Sequence, residues 1–296
     1  PCLGEAGDVV VRIVVAGICR TDVYAAEGRI PVREPVVLGH EFAGVVEAVA
    51  PGVAAVRLGD RVTAMPWVPC GECRECRSAG GPGTRCLRSR MLGVDRDGAF
   101  AEHVVVPAET LYRLPDSVSF TSGAYVEPVA ASLAVLNAGL RAGTRGLVYG
   151  RNRIALLTLR VLAAHGVTNV ALVDAPEAAD LPDGEYDWAV ETVATAESLR
   201  ALVRGVRPGG KVVLKSRPCR PVELDVRAAV LKELTLHAVN YGSFHDAIAL
   251  LAERRIDVTD LLGPVYPLEQ WEQAFAESAS SEKTKRFLAP SDEALP

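Results

Sequence analysis

The stretch V-Y-G-R-N-R-I-A-L-L, residues 148–157, joins a strand-like run to a helix-like run and governs the interpretation of the second half of the chain. Apolar residues 146–149 predict a strand, and the periodicity of residues 154–164 predicts a helix. A strand-to-helix turn holds a pyrophosphate when it carries the pattern G-x-G-x-x-G, which needs glycine at 150, 152 and 155 here. Only Gly150 is present, and Asn152 and Ala155 replace the other two. The stretch therefore predicts a dinucleotide-binding fold with an altered ligand turn.

The side chains of this turn have both a ligand-binding and a structural interpretation. Asn152 adopts left-handed dihedral angles better than most residues, but its side chain takes space that phosphates would use. Arg151 and Arg153 place positive charge near the start of the helix, where they either pair with phosphate or are only solvated turn residues. The residues of the turn that we assign to cofactor binding are Gly150, Asn152, Arg153 and Ile154.

A second cofactor feature follows the next predicted strand, at 169–173. Asp174 ends this strand 24 residues after Gly150, near the spacing of about 20 at which an acid accepts hydrogen bonds from the adenosine ribose. An acid here favours NAD over NADP because it repels a 2′-phosphate, although Asp is also a common turn residue. Residues 175–185 are too few for the usual helix, strand and helix, so we expect the adenine side of the fold to be shortened.

Strands and helices alternate from about residue 138, as expected for parallel βαβ units. The further strands and helices predicted in this part are strands at 187–191, 211–214 and 234–239, and helices at 196–206, 244–254 and 268–279. The first half instead has short β-rich runs separated by Gly and Pro, which predicts a barrel or sandwich. The fold class is therefore α/β plus β.

The composition excludes several classes of protein. The 296 residues suffice for two modest domains, and 49% hydrophobic and 23% charged residues are ordinary for a globular protein. A net charge of -5 gives no general attraction to nucleic acid or anionic lipid, and no apolar run reaches membrane-spanning length. We recognise no secretory signal and expect a cytoplasmic protein with a small-molecule substrate, rather than a partner of nucleic acid or membranes.

Four of the seven cysteines lie within 17 residues and form the pattern C-x2-C-x2-C-x9-C. Four thiolates at this spacing can surround one Zn²⁺ tetrahedrally, because short loops fold back on the ion. A closed site of this kind has no open position, so its role would be structural. Reduced cysteines without metal and an iron–sulfur cluster are the alternatives. We assign the structural zinc to Cys70, Cys73, Cys76 and Cys86.

Candidate ligands for a second metal lie in three separate stretches: G-I-C-R-T-D at 17–22, L-G-H-E-F at 38–42 and Y-V-E-P at 125–128. Each stretch is weak evidence alone. A lone Cys19 is more often a small core residue, and a lone His40 is often a satisfied buried histidine. Glu127 alone could be a charge that the helix dipole favours near a helix N-terminus. The assignment therefore depends on their combination.

These motifs occur together with the cysteine cluster and with G-D-R-V (59–62), G-V-D-R-D-G-A-F-A-E-H-V-V-V-P (93–107) and R-P-G-G-K-V-V-L (207–214). The combination covers almost the whole chain and resembles the zinc-containing medium-chain dehydrogenase/reductase family. It is most similar to the sorbitol, threonine and amino-cyclitol dehydrogenase branch, where a Glu-Pro supplies a zinc ligand. The resemblance implies a GroES-like catalytic domain at 1–137, completed by 266–296. It also implies a Rossmann-type domain with a doubly wound parallel sheet at 138–265.

The same resemblance implies a chemistry. Cys19, His40 and Glu127 would hold a catalytic zinc, Glu41 would be an alternating or nearby ligand, and one position would be open to water or a substrate oxygen. The zinc would act as a Lewis acid on a secondary alcohol of a polyol, amino alcohol or cyclitol, and NAD would take the hydride. Thr21 would hydrogen-bond the substrate oxygen. Two zinc ions per chain and a homo-oligomer, dimer or tetramer, are expected on the same grounds.

Two residues depart from the family pattern, which usually has Gly at position 20 and often His at position 24. Arg20 either binds an anionic group of the substrate or turns outward, and Tyr24 replaces the usual proton relay by a phenol. Together with the altered turn, the departures leave two alternatives open. One is a non-redox, zinc-assisted biosynthetic enzyme (cyclisation, elimination or isomerisation) with a degenerate nucleotide site, and the other is an inactive homologue with a scaffold role.

Overall fold

The computed structural model of the protein describes residues 7–78 and 85–291. The chain divides into two compact units, one formed by the residues up to Pro128 together with those from Phe244 onward, and one formed by Val129–Ser243. The predicted boundaries, 137/138 and 265/266, lie later in the chain than these. The second boundary comes earlier because Phe244 stacks on Tyr112 of the first unit, with ring centroids 5.0 Å apart.

The strands and helices are labelled in chain order. The strands are β1 (Asp8–Gly17), β2 (Glu41–Val49), β3 (Arg61–Ala64), β4 (Trp67–Val68), β5 (Arg90–Met91), β6 (His103–Pro107), β7 (Leu111–Arg113), β8 (Gly146–Tyr149), β9 (Val170–Val173), β10 (Tyr186–Glu191), β11 (Val206–Leu214), β12 (Thr235–Ala238), β13 (Leu262–Pro267) and β14 (Lys285–Ala289). The helices are α1 (Arg20–Ala26), α2 (Arg74–Arg77), α3 (Phe120–Ala124), α4 (Val126–Leu133), α5 (Arg153–Ala164), α6 (Ala175–Ala178), α7 (Ala196–Gly205), α8 (Val226–Leu231), α9 (Phe244–Ala252) and α10 (Trp271–Ser280).

The first unit is built on a seven-stranded sheet in the order β13-β14-β1-β2-β3-β7, with β6 also paired to β1. β1 pairs antiparallel with β2, β6 and β14, and its valine-rich sequence is buried at nearly every position because it has neighbours on both sides. The core of this unit contains Val9, Val11, Ile13 and Phe42. The ribbon β4-β5 brackets the cysteine segment in the chain. The β-rich character predicted for the first half is therefore observed.

The second unit contains a five-stranded parallel sheet in the order β12-β11-β10-β8-β9. Alternate residues of its central strands face opposite sides, as the period of two requires. Leu147 and Ala189 lie in a core with Leu202 of α7, while Val148 and Val190 lie in another core with Leu162 of α5. Helices therefore cover both faces of the sheet, and the predicted doubly wound parallel arrangement is confirmed.

The sheet is short on the side of β9. In the described part of the chain, β9 pairs only with β8, and the chain then forms the four-residue helix α6 before it returns to β10. Too few residues lie between β9 and β10 to add another strand and its helices. The predicted shortening of this part of the chain is therefore observed.

Most predicted elements occur within a few residues of their expected bounds. The exception is the junction near Val206, which was assigned to the end of a helix but begins β11, because Val206 pairs with Tyr186 of β10. Within residues 7–78 and 85–291, no helix has both the length and the apolarity needed to cross a bilayer.

Candidate functional site

Three potential metal ligands meet where β1 ends and β2 begins. Cys19 is the N-cap residue between β1 and α1, while His40 directly precedes β2 and Glu41 is its first residue. The two strands are paired so that Gly17 lies opposite Glu41, which brings these chain segments to one edge of the sheet. One ligand atom from each of the three residues lies within 4.8 Å of the others. The structure thus assembles a thiol, an imidazole and a carboxyl group from two distant motifs.

Asp22, which the sequence analysis did not select, organises this cluster. Its carboxylate is almost fully buried and accepts hydrogen bonds from the backbone N–H groups of Cys19, at 2.8 Å, and Gly39, at 3.0 Å. Nδ1 of His40 lies 3.3 Å from Oδ1 of the same carboxylate. A carboxylate beside Nδ1 orients the imidazole and leaves its other nitrogen for a metal. The available signal was an Asp three residues after a helix N-cap, where it can close a capping box.

The charge of His40 depends on its neighbours in this cluster. Burial alone lowers the pKa of His40, but the negative charges of Asp22 and Cys19 and their hydrogen bonds outweigh burial, so the pKa is raised well above its usual value. A protonated imidazole must lose its proton before it binds a metal, so a raised pKa makes metal binding by His40 weaker as the pH falls.

Glu41 is held by a buried lysine from the far end of the chain. Its Oε2 forms an ion pair with Nζ of Lys285, the first residue of β14, and Nζ also donates to the backbone oxygen of Ile18 at 3.2 Å. The side chains of Glu41 and Lys285 are 3% and 1% exposed. The carboxylate beside Cys19 and His40 is thus neutralised by a partner from another strand of the same sheet.

Thr21 lies near this cluster, whereas Glu127 does not join it. Oγ1 of Thr21 is 3.8 Å from Sγ of Cys19. Glu127 is buried in the first turn of α4, but in the part of the chain that the structure describes, no group of three potential ligands within 4.8 Å includes it.

Arg20 and Tyr24, the two departures from the family pattern, lie on α1. Arg20 forms an ion pair with Glu282 and donates from Nη1 to the backbone oxygen of Ala279 at 3.4 Å. The guanidinium of Arg29 lies 4.2 Å from the ring centroid of Tyr24, in cation–π geometry. The sequence predicts that Arg20 either binds an anionic group of the substrate or turns outward. In the structure its side chain pairs with groups of the protein itself, near the C-terminal end of α10.

The four clustered cysteines form a compact sulfur group with no disulfide. Their sulfurs are 3.4 Å apart for Cys73 and Cys76, 3.7 Å for Cys73 and Cys86, and 4.0 Å for Cys70 and Cys76. Four thiolates arranged tetrahedrally about 2.3 Å from a Zn²⁺ would be about 3.8 Å apart. The observed separations therefore fit a closed tetrahedral metal site, although residues 79–84 of the intervening loop lie outside the described part.

The thiols of this group differ in acidity. Hydrogen bonds from the backbone of Glu72 and Cys73 lower the pKa of Cys70 to about 6. Burial, together with its sulfur neighbours, raises the pKa of Cys76 to about 12. Without a metal, the pKa of Cys70 is therefore much lower than that of Cys76. A divalent cation would replace the thiol protons, which is the donor chemistry of a structural zinc site.

The altered glycine turn lies between β8 and α5. Gly150 has a φ of +116°, and a Cβ there would be 2.4 Å from Oγ1 of Thr192, so this position requires glycine. Asn152 is the N-cap of α5, and its Oδ1 accepts a hydrogen bond from the backbone N–H of Ala155 at 2.9 Å. Arg153, the first residue of α5, is only 8% exposed. The structure brings Gly150, Asn152, Arg153 and Ile154 together at the start of α5, as the sequence predicts.

Asp174 follows β9 and acts as the N-cap of α6. Its carboxylate accepts a hydrogen bond from the N–H of Ala175 at 2.8 Å, and its own N–H donates to Glu177 at 2.7 Å. Glu177 also forms an ion pair with Arg151 of the glycine turn. The hydrogen bond from the backbone of Asp174 and the nearby Arg151 lower the pKa of Glu177. Asp174 therefore sits in a charged network at the carboxyl ends of β8 and β9.

Comparisons with known proteins agree with this architecture. The family model of the alcohol dehydrogenase GroES-like domain matches residues 5–116. A protein of Rhizobium meliloti (strain 1021) named as a D-xylulose reductase is 32% identical over 313 residues, which cover 94% of this chain and 89% of the relative.

Solved structures match over nearly the full length. A zinc-binding dehydrogenase from Sinorhizobium meliloti 1021 bound to NADP has a TM-score of 0.88 at 26% identity, covering 98% of this chain and 94% of that one. Galactitol-1-phosphate dehydrogenase from Escherichia coli has a TM-score of 0.87 at 25% identity, with the same two coverages of 98% and 94%.

The GroES-like match lies within the first unit, and the doubly wound parallel sheet forms the second. The predicted fold class and family are confirmed. Because a relative above 30% identity matches along most of both chains, the family assignment applies to the whole protein. The chain is an alcohol dehydrogenase-like enzyme and belongs to the zinc-containing medium-chain dehydrogenase/reductase family.

Proposed function

We propose that this chain is a zinc-dependent dehydrogenase that transfers hydride between NAD and a secondary alcohol of a polyol, amino alcohol or cyclitol-like substrate. The observation that carries the proposal is the cluster of Cys19, His40 and Glu41, whose ligand atoms lie within 4.8 Å of one another. Three protein ligands of mixed type are the usual set of a catalytic zinc, because they leave a position open. The names of the similar proteins, a D-xylulose reductase and a galactitol-1-phosphate dehydrogenase, support a sugar- or polyol-like substrate.

Cys19, His40 and one of two carboxylates, Glu41 or Glu127, would hold this ion. Bound zinc supplies Lewis acidity toward an alcohol oxygen, and a nicotinamide cofactor supplies the hydride acceptor. The residues of the chain have separate tasks around it. Asp22 orients the imidazole through the 3.3 Å contact with Nδ1. The hydroxyl of Thr21, 3.8 Å from the sulfur of Cys19, would hydrogen-bond the substrate oxygen.

A second zinc in the cysteine group accounts for the spacing of its sulfurs. We expect Cys73→Ser to remove one zinc ion per chain and to lower the melting temperature by roughly 6–12 °C, which corresponds to about 3 kcal/mol. Loss of one thiolate leaves three sulfurs that no longer close a tetrahedron. Inductively coupled plasma mass spectrometry and a thermal melt measure both effects. Cys219→Ser is the matched control, since Cys219 lies outside both clusters. A variant at position 73 that keeps two zinc ions would remove this assignment.

The choice of NAD rests on the charges near β9. Asp174 and Glu177 are two acids, and Arg151 is the cation paired with them through Glu177. The net charge of these three residues is therefore negative. An acid at the end of the second strand of such a sheet disfavours a 2′-phosphate. These residues support NAD over NADP.

A homo-oligomer is part of the proposal. β12 lies at one edge of the five-stranded sheet, and Leu236 on this strand is 39% exposed. On α8, Val230 and Leu231 are about two-thirds exposed, at 67% and 68%. An apolar edge strand is usually covered, and a second copy of the same chain is the simplest cover.

The experiment that tests the proposed function is a calorimetric titration of the zinc-loaded protein with NAD⁺ and NADP⁺, with the metal content determined on the same sample. Two zinc ions per chain and micromolar binding of NAD⁺ would support it, and a screen of polyols and amino alcohols for NAD⁺ reduction would follow. Two zinc ions with no nucleotide binding and no oxidation of any alcohol would reject hydride transfer and favour zinc-assisted chemistry without redox change.

A further inference from the structure

The strand order of the second unit defines a crevice at the carboxyl end of β8. The chain leaves β8 toward β9 on one side, and β10 lies on the other side. Ligands of doubly wound sheets bind at such a switch point, outside the carboxyl ends of the strands. The turn 150–152 and the residues that follow β10 form the two sides of this crevice.

The side chain of Asn152 bridges the two sides. Its Oδ1 lies 2.9 Å from the N–H of Ala155 in the first turn of α5, and its Nδ2 lies 3.3 Å from the backbone oxygen of Thr192, directly after β10. Thr192 is itself fixed, because its hydroxyl donates to the backbone oxygen of Tyr149 at 2.8 Å. The asparagine therefore occupies the position at which the second glycine of the G-x-G-x-x-G pattern lets a pyrophosphate approach the backbone.

Arg153 supplies an independent sign of a ligand at the same helix end. It is the first residue of α5, its side chain is 8% exposed, and within the described residues its Nε has no hydrogen-bond partner. Burial of a guanidinium N–H without a partner is costly, so a hydrogen-bond acceptor is expected beside it. The first N–H groups of a helix also lack intrahelical partners and favour anions.

We propose that Asn152 is an internal plug of the pyrophosphate crevice. Its side chain must leave the N–H of Ala155 and the oxygen of Thr192 before a pyrophosphate binds, and Arg153 then pairs with the phosphate charge. The chain thus binds dinucleotides more weakly than its fold allows, by about fivefold, the factor that corresponds to the usual energy of one N-cap. The inference rests on the proposed function only for the identity of the dinucleotide.

The test is isothermal titration of the full-length, zinc-loaded protein with ADP-ribose, NAD⁺ and adenosine. ADP-ribose carries the pyrophosphate but no nicotinamide, so its binding does not depend on hydride transfer. Asn152→Gly is expected to bind ADP-ribose and NAD⁺ about fivefold more tightly than the natural chain, with no change for adenosine. Glycine at an N-cap costs the helix little, so the variant is expected to fold. Arg153→Gln, added to Asn152→Gly, is expected to abolish the gain.

Two further variants make the result specific. Asp225 caps α8 in the same way, with Oδ1 accepting from the N–H of Ala228 at 2.9 Å, so Asp225→Gly removes a cap outside the crevice and should leave ADP-ribose affinity unchanged. Asn152→Ala removes both hydrogen bonds of the side chain and should also gain affinity, even if the glycine variant misfolds.

The outcomes separate this inference from the proposed function. If neither variant at position 152 binds ADP-ribose more tightly than the natural chain, including the case in which none binds it, the plug is overturned. If both gain affinity while the natural chain oxidises no alcohol with NAD⁺, the plug stands and the proposed function fails.

Discussion

Replacing His40 by alanine is expected to lower kcat/KM for alcohol oxidation by at least about 10³-fold, or about 4 kcal/mol of transition-state stabilisation. His40 supplies the only imidazole of the three-residue cluster in the described chain, and its removal leaves Cys19 and Glu41 as an incomplete ligand set. The variant should also contain one zinc ion per chain instead of two. Steady-state kinetics with NAD⁺ and metal analysis on the same preparation measure both effects.

The matched control for this substitution is His103→Ala. His103 lies at the start of β6, and its Nε2 is 2.7 Å from the carboxylate of Glu47, a half-exposed side chain. A surface pair of this kind contributes about 0–1 kcal/mol, so this variant should keep both zinc ions and nearly full activity. If His40→Ala were as active as His103→Ala, the proposed metal centre would have to be given up.

Replacing Lys285 by methionine is expected to destabilise the metal-free protein by about 3–5 kcal/mol, because Glu41 is then left as an uncompensated buried charge. Both side chains of this pair are almost fully buried. The expected fall in melting temperature is roughly 6–20 °C, measured by calorimetry or circular dichroism. Lys283→Met is the control, since Lys283 lies two residues earlier on an exposed position of the same segment.

A double variant separates the charge from the shape of the lysine. Lys285→Met combined with Glu41→Gln removes both charges, so most of the lost stability should return. Equal melting temperatures for the variants at 283 and 285 would show that the buried pair contributes nothing measurable. If the double variant is no more stable than Lys285→Met alone, the lost stability comes from packing and not from the unpaired carboxylate of Glu41.

The features that could be predicted from sequence are those whose signal is local. The four clustered cysteines are close in the chain, so their spacing alone predicts one metal site, and the sulfur positions agree with it. Gly150 and Asn152 are likewise close in the chain, so their spacing alone predicts the turn between β8 and α5. Short apolar runs alternate with segments of helical periodicity and so predict the parallel sheet, because a strand that is buried on both faces consists almost entirely of apolar residues.

The features that could not be predicted depend on contacts between distant segments. Lys285 carries no sequence signal for burial, because lysine is rarely buried and its partner Glu41 is 244 residues away. In the sequence, Asp22 is an ordinary acid in the first turn of a helix. Its contacts with Gly39 and His40 are visible only in the structure. Pro208 and the glycines after it predict a turn, but Val206 pairs with Tyr186, and the pairing with β10 resumes at Lys211 after an irregularity that contains these residues.

The pairing of β1 with β14 has a consequence for biosynthesis. Ala16 lies opposite Leu288 in the finished sheet, so at about 5–20 residues per second β1 must wait roughly 14–54 s on the ribosome for this neighbour. Residues Val129–Ser243 are complete well before that and can fold while translation continues. Lys285 reaches Glu41 last. A nascent chain that stalls before residue 285 would therefore carry a folded parallel sheet but lack the buried lysine that pairs with Glu41.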